Sequence, residues 1–274
     1  MTDRTFRFGV VATPETPERW LTTARRAAEL GYSTLLMPDG QQLPATLPAL
    51  AAAATAAPGL RVSPYVMAAV LHPPGLLAWE AHSLTQLTGG RFELGIGTGL
   101  PRVVDQAADL LGEQPLTGPQ RLQRVGETID RLRALDGEAY TPVMMAASGP
   151  QALALAAEKA DIVTIAAGAM AAREEVRRRV DGLLRSAGER AGAIELSMNV
   201  FVVGDDAPPW IQRFLGVDAA AMRSANSLAM LRGSTQDMVD ELERRRELLG
   251  GSYITVQGAF MEALAPVVEQ LAGR

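Results

Sequence analysis

Short apolar runs alternate with longer stretches whose apolar residues recur every three or four positions, from residue 5 to the end of the chain. A strand buried on both faces reads as a continuous apolar run, whereas an amphipathic helix carries a 3.6-residue period. On that basis strands are expected at 5–12 (TFRFGVVA), 33–39 (STLLMPD), 60–70 (LRVSPYVMAAV) and 91–97 (RFELGIG). The second half supplies 141–148 (TPVMMAAS), 161–168 (DIVTIAAG), 194–204 (IELSMNVFVVG) and 252–258 (SYITVQG). Helices are expected after each, at 17–30, 47–57, 73–88, 119–135, 150–160, 171–187, in one or more pieces within 207–249, and at 259–272.

Helix-start signals support the pattern. Thr16-Pro17 and Ser148-Gly149-Pro150 each put proline where a helix opens, and Ser234 or Thr235 can cap the segment reaching Leu249. Strand-then-helix units repeated over about 250 residues fit a (β/α)8 TIM barrel, one domain spanning 1–274. A doubly wound sheet is the rival, but its first turn should carry a nucleotide fingerprint. Here that turn reads VATPETPE, without glycine. The longest departures from the repeat are 98–118 and 204–233. Barrel chemistry sits on loops at the strand C-termini, which directs the search there.

Composition narrows the chemistry. The net charge of -5 offers no nucleic-acid footprint, and arginine runs such as REEVRRR are interleaved with acid, as on solvated helix faces. The chain has no cysteine, which removes thiolate nucleophiles and Cys-based zinc sites. The alanine-rich run 47–57 is too short for a bilayer, which needs about 20 apolar residues. With no signal-like start, a cytoplasmic location is expected, with neither membrane nor nucleic acid as partner. Only His72 and His82 occur, so no resident metal is expected. Lys159 is the only lysine and falls at a helix end, where a Schiff-base mechanism cannot use it. Two-carboxylate hydrolysis needs acids at several strand ends, and only Asp39 and Asp205/Asp206 qualify. A site this short of acid–base groups suits a cofactor that brings its own chemistry.

Two stretches suggest where such a cofactor sits. In RFELGIGTGL the period of two puts Phe92, Leu94 and Ile96 on one face and Glu93, Gly95 and Gly97 on the other. The second face then points into the barrel, with a structural Glu93 deep inside and empty space near the mouth. That space serves either a ligand or a closely packed neighbour. At Ser148-Gly149-Pro150 a helix start offers either an ordinary cap or free N–H groups for a phosphate.

The stretch LHPPGLLAWEAHSLTQLTGGRFELGIGTG (71–99) resembles the bacterial luciferase-like superfamily. GYSTLLMPD (31–39), ASGP (147–150), ADIVTIAAG (160–168) and the closing βα unit from Gly251 add to the likeness. The combination is more similar to the branch that uses the deazaflavin coenzyme F420 than to the luciferases proper. The resemblance implies a (β/α)8 barrel, often dimeric, with a flavin or deazaflavin at the strand C-termini. It places a cis peptide behind the tricyclic ring at Ser63-Pro64, puts the 97–99 loop (Gly97, Thr98, Gly99) beside the ring, and assigns the phosphate to Ser148, Gly149 and Gly168. It also marks two departures. The family's sugar-phosphate dehydrogenases have His after the strand-two Asp and Glu after the strand-four Gly-Thr-Gly, where this chain has Gly40 and Leu100.

Three activities remain open. The first is a reductase in which reduced F420 passes hydride to a small unsaturated substrate carrying an activated C=C, C=N or dehydroamino-acid unit. The second is an FMN-dependent monooxygenase, and the third a cofactor-free barrel acting as a binding or assembly subunit. Asp39, Tyr65 and His72 are the candidate proton-handling residues, with His72 either capping the third helix or facing the pocket. A small-molecule substrate and a homodimer are the expected partners.

Overall fold

The structure is a computed structural model and describes residues 4–274. Parallel strands β1 (Arg7–Val11), β2 (Thr34–Met37), β3 (Arg61–Pro64), β4 (Met67–Ala68), β5 (Leu94–Gly97), β6 (Val143–Ala147), β7 (Ile162–Ile165), β8 (Glu195–Val200) and, beyond the short pair described below, β11 (Gly251–Gln257) form one sheet. Their order is β3-β2-β1-β11-β8-β7-β6-β5-β4. Because β3 and β4 are halves of one interrupted segment, the sheet comes back on itself. Val62 bridges to Phe92, and Met67 pairs with Ile96. The expected (β/α)8 barrel is the fold.

Helices α1 (Pro17–Glu29), α2 (Thr46–Ala56), α3 (Pro74–Leu87), α4 (Arg102–Leu111), α5 (Gly118–Asp136), α6 (Pro150–Lys159) and α7 (Arg173–Ala187) cover the outside. After β8 come a two-strand ribbon, β9 (Val202–Val203) with β10 (Met230–Leu231), and the short helices α8 (Pro209–Leu215) and α9 (Ala219–Ser224) between them. Helices α10 (Thr235–Leu249) and α11 (Met261–Leu271) complete the ring. The 98–118 stretch, read as loop, holds α4. Its RVVDQAADLL pattern is helical, but Gly99 and Pro101 before it and Gly112 after it (φ +66°) disguise it as connection.

Alternation along the strands sorts the side chains. Phe92, Leu94 and Ile96 face the helices within the main core, as their spacing required. The opposite faces fill the barrel. At its N-terminal end Arg7 makes a forked pair with Glu195 (Nη2–Oε2 2.7 Å) and reaches Glu93 at 2.8 Å, while Arg61 meets Glu93 at 2.7 Å. Arg7 also stacks 3.6 Å over the Tyr253 ring. Glu93 is therefore the structural carboxylate expected. The ribbon, α8 and α9 carry a small core of their own, built from Val202, Ile211, Met222 and Met230. The buried Arg245 guanidinium anchors it, donating to the carbonyls of Leu228 and Met230 and pairing with Glu241 at 2.7 Å.

The expected cis bond at Ser63-Pro64 is not there; the cis peptide is Tyr65-Val66. Strand pairing explains the offset. The ladder to β2 runs unbroken to Pro64, opposite Met37, and the Tyr65 N–H still donates to the Met37 carbonyl. The chain leaves regular geometry only after that bond is made. Among the described residues no helix is long and apolar enough to cross a membrane.

Candidate active site at the barrel mouth

The glycines of β5 meet the irregular segment after β3. A Cβ on Gly95 would fall 2.1 Å from the Pro64 carbonyl oxygen, and one on Gly97 3.0 Å from a Val66 methyl. At Gly99 (φ +80°) the neighbours are Val70 and Val103. The space that alternate glycines open is thus taken at Gly95 and Gly97 by the chain's own backbone and Val66. Of the two readings of this ladder, the closely packed neighbour is the one built. Its effect is to let the third strand lean inward and aim Tyr65 across the barrel.

Tyr65 follows Arg61 and Ser63 on the inward-facing parity of its strand. Its hydroxyl lies 3.3 Å from both Thr164 Oγ1 on β7 and Thr255 Oγ1 on β11, across the mouth. Burial raises its pKa, and the hydrogen bonds with Thr164 and Thr255 only partly oppose that. The phenol is therefore protonated at neutral pH. Ser63 is buried below it, its hydroxyl turned to the Pro64 carbonyl at 2.9 Å.

Asp39 and His72 meet each other. Asp39 Oδ2 accepts from the Ala68 N–H at 3.0 Å and lies 2.9 Å from His72 Nε2, while Oδ1 accepts from Thr46 Oγ1 at 3.1 Å. Burial alone would raise the Asp39 pKa, but its hydrogen bonds and the neighbouring His72 outweigh it and leave the pKa lowered. An ionised carboxylate with three partners is an acceptor and a clasp, not a ready acid. His72 does not cap α3, whose N-cap Pro73 receives no side-chain bond. His82 pairs instead with Asp136 at 2.9 Å, on the helical layer.

Beside this clasp a cavity of about 960 Å³ opens over the C-terminal ends of β1, β2, β8 and β11. Tyr65 forms part of its wall together with Val11, Pro38, Asn199 and Gln257. Asn199 Oδ1 and Ser197 Oγ, two residues apart on β8, are buried without a hydrogen-bond partner. At the other side of the mouth, Gly149 is the N-cap of α6 and Ser148 is exposed, with no side chain capping that helix. Gly168 lies in the loop after β7, lining a smaller cavity of about 80 Å³. Sequence reasoning missed Asn199, Thr164 and Thr255. Their one signal was a polar residue at inward parity in a strand that otherwise reads apolar.

The mouth of the barrel thus offers neutral donors, unused polar atoms and a large cavity. The sequence matches the family described as luciferase-like monooxygenase over residues 4–249, and the chain belongs to that family, whose members are oxidoreductases and monooxygenases. A search of curated proteins finds no match. Among solved structures the fold is similar to the coenzyme F420-dependent tetrahydromethanopterin reductase of Methanopyrus kandleri, at 16% identity over 98% of this chain and 99% of that one (TM-score 0.74). It is also similar to an F420-dependent secondary alcohol dehydrogenase bound to an F420-acetone adduct, at 16% identity over 98% of each chain (TM-score 0.76). A third likeness is to the oxygenating constituent of 3,6-diketocamphane monooxygenase from Pseudomonas putida, in complex with FMN. There the identity is 14%, over 96% of this chain and 95% of that one (TM-score 0.69).

Proposed function

We propose that this protein is an oxidoreductase that uses reduced coenzyme F420 to deliver hydride to a small unsaturated substrate, an activated C=C, C=N or dehydroamino-acid unit. The observation that carries the reading is the neutral mouth. Tyr65, Thr164, Thr255, Ser197 and Asn199 supply hydrogen-bonding groups, and the Asp39 carboxylate, bonded to His72 and the Ala68 N–H, is occupied in holding the strand. Such residues bind and orient but carry no redox chemistry of their own. The deazaflavin, when bound, supplies the hydride from its tricyclic ring.

The residues present fit that group. The orphaned Ser197 hydroxyl, lining the same small cavity as Gly168, awaits a polar partner, and the Gly149 turn has open space where a Cβ would stand. In this reading Ser148, the Gly149 backbone and Gly168 hold the phosphate, as the uncapped α6 start favours an anion. The 97–99 loop (Gly97, Thr98, Gly99) borders the ring, while Ser63 and Pro64, whose bond is not the expected cis peptide, are buried beneath Tyr65. Tyr65, kept protonated by burial, is the candidate proton donor, and Asp39 with His72 positions the strand that carries it. The FMN monooxygenase reading is the runner-up, favoured by the likeness to an FMN-bound relative. A homodimer is part of the proposal.

Fluorescence titration of the purified protein with each cofactor tests it. F420 should bind more tightly than FMN. FMN binding ten times more tightly would move the assignment to the monooxygenase, and no binding of either would leave a binding or assembly subunit.

A further inference from the structure

Ser148, Gly149, Gly168 and the 97–99 loop, assigned to the cofactor, follow β5, β6 and β7, whereas the 960 Å³ cavity spreads over β8, β11, β1 and β2, on the other half of the mouth. That cavity is near the upper end of the range for small-molecule sites. Its outer wall is aromatic. Trp210 and Phe214, four residues apart on α8 and thus on one face, line it with Phe201, whose ring centroid lies 5.8 Å from that of Phe214. Both side chains of α8 are about half exposed, Trp210 at 45% and Phe214 at 53%. The helix itself is fixed: Pro208 and Pro209 open it and Ile211, fully buried, pins its other face to the small core. Rings held this way keep about half of their surface uncovered.

The inner wall adds the polar groups of Tyr65, Gln257 and Asn199. Asn199 Oδ1 is buried and unpaired, and among the described residues the carboxamide makes no hydrogen bond. A carboxamide both donates and accepts, so it matches a carbonyl or amide group. The charged residues of the cavity, Glu15 just before α1 and Glu18 and Arg19 in its first turn, sit on the exposed rim, where Arg19 pairs with Glu15. The interior therefore selects against ionic ligands and for flat apolar ones.

We propose that the cavity walled by Trp210, Phe214 and Phe201 is the substrate chamber, and that it takes a planar aromatic or conjugated molecule whose carbonyl or amide group is held by Asn199. This assignment rests on the reading that a cofactor occupies the β5–β7 side. Asn199 acts here as a binding residue, and the aromatic wall as the determinant of specificity.

Calorimetric titration of the cofactor-free protein with two probes, cinnamamide and hexanamide, tests it. Both carry an amide, but only cinnamamide has a flat conjugated ring. Cinnamamide should bind at least tenfold more tightly than hexanamide. Asn199→Ala should weaken it about tenfold, and Phe214→Leu should weaken cinnamamide at least threefold while leaving hexanamide within twofold. Circular dichroism checks each variant's folding. Should Asn199→Ala fail to fold, the exposed Phe214→Leu and the wild-type probe ratio decide the matter. Equal affinity for the two amides, no cinnamamide binding at millimolar concentration, or folded variants with unchanged affinity would overturn the assignment. None of these outcomes depends on which cofactor binds, so the F420 reading stands or falls separately.

Discussion

A Cβ built on Gly95 would sit 2.1 Å from the Pro64 carbonyl oxygen and 3.1 Å from its carbon, both backbone atoms that cannot swing aside. Overpacking a well-filled interior costs about 1–3 kcal/mol. Gly95→Ala should therefore lower stability by roughly that amount, read as a reduced midpoint in chemical denaturation. Gly97→Ala should cost less, because its 3.0 Å neighbour is a Val66 methyl, the end of a side chain. Equal losses at the two positions would show that the Pro64 backbone yields after all. Gly149 is the opposite case. No atom lies within 4 Å of where its Cβ would stand, and its φ of -88° and ψ of 160° suit any residue. Gly149→Val should stay folded yet weaken cofactor binding at least tenfold, a loss of about 1.4 kcal/mol. A folded variant with unchanged affinity would reduce this turn to an ordinary helix start.

Between β3 and β4 the third barrel segment loses its ladder, and Asp39 supplies a substitute from the end of β2. Its carboxylate takes the Ala68 N–H, and holds His72 and Thr46 as well. Asp39→Ala should speed hydrogen exchange at the Ala68 amide, measured by NMR or mass spectrometry, while the amides of β7 and β8 keep their protection. The same contacts set a pH dependence. The Asp39 pKa is lowered in the folded protein, so its contribution is fully present above the unfolded-state value of about 3.9 and fades as pH falls through the folded one. Stability of Asp39→Ala should accordingly fall less steeply with acid than that of the wild type. This clasp also marks the reach of a sequence. The period-two glycines of β5, the apolar faces of the strands and the proline-led helix starts are local patterns, and all were legible. The partner of His72 lies 33 residues away, and the Tyr65 hydroxyl meets Thr255 across 190. Such meetings depend on register around the closed sheet, which no local period encodes. The cis bond was misplaced by two residues for the same reason, since the β2 ladder decides where the strand can turn.

The whole molecule separates its work between two ends and an outer surface. Ion pairs among Arg7, Arg61, Glu93 and Glu195 close one end of the barrel, leaving the other free to be neutral and open. On the outside, α2 carries no charged residue, and α3 has only Glu80 and His82, the latter turned to Asp136. Leu76, Trp79 and Leu87 of α3 lie on one side of the helix and are exposed at 46%, 62% and 82%. Solvated helices normally carry charge on that face, as α7 and α10 do. A largely apolar strip of this kind, with Glu80 its single acid, fits a contact between two copies of the chain, which supports the proposed homodimer. A stable dimer buries about 1,200–2,000 Å² in all, more than α3 alone provides, so the small-residue face of α2 beside it would be enlisted too. Trp79→Glu replaces the strip's largest apolar side chain by a second charge without touching the core. Light scattering after gel filtration at micromolar concentration should then find a dimer for the wild type and a monomer of unchanged melting temperature for Trp79→Glu. A monomeric wild type would remove the dimer from the proposal, and a dimeric Trp79→Glu would move the contact to another face.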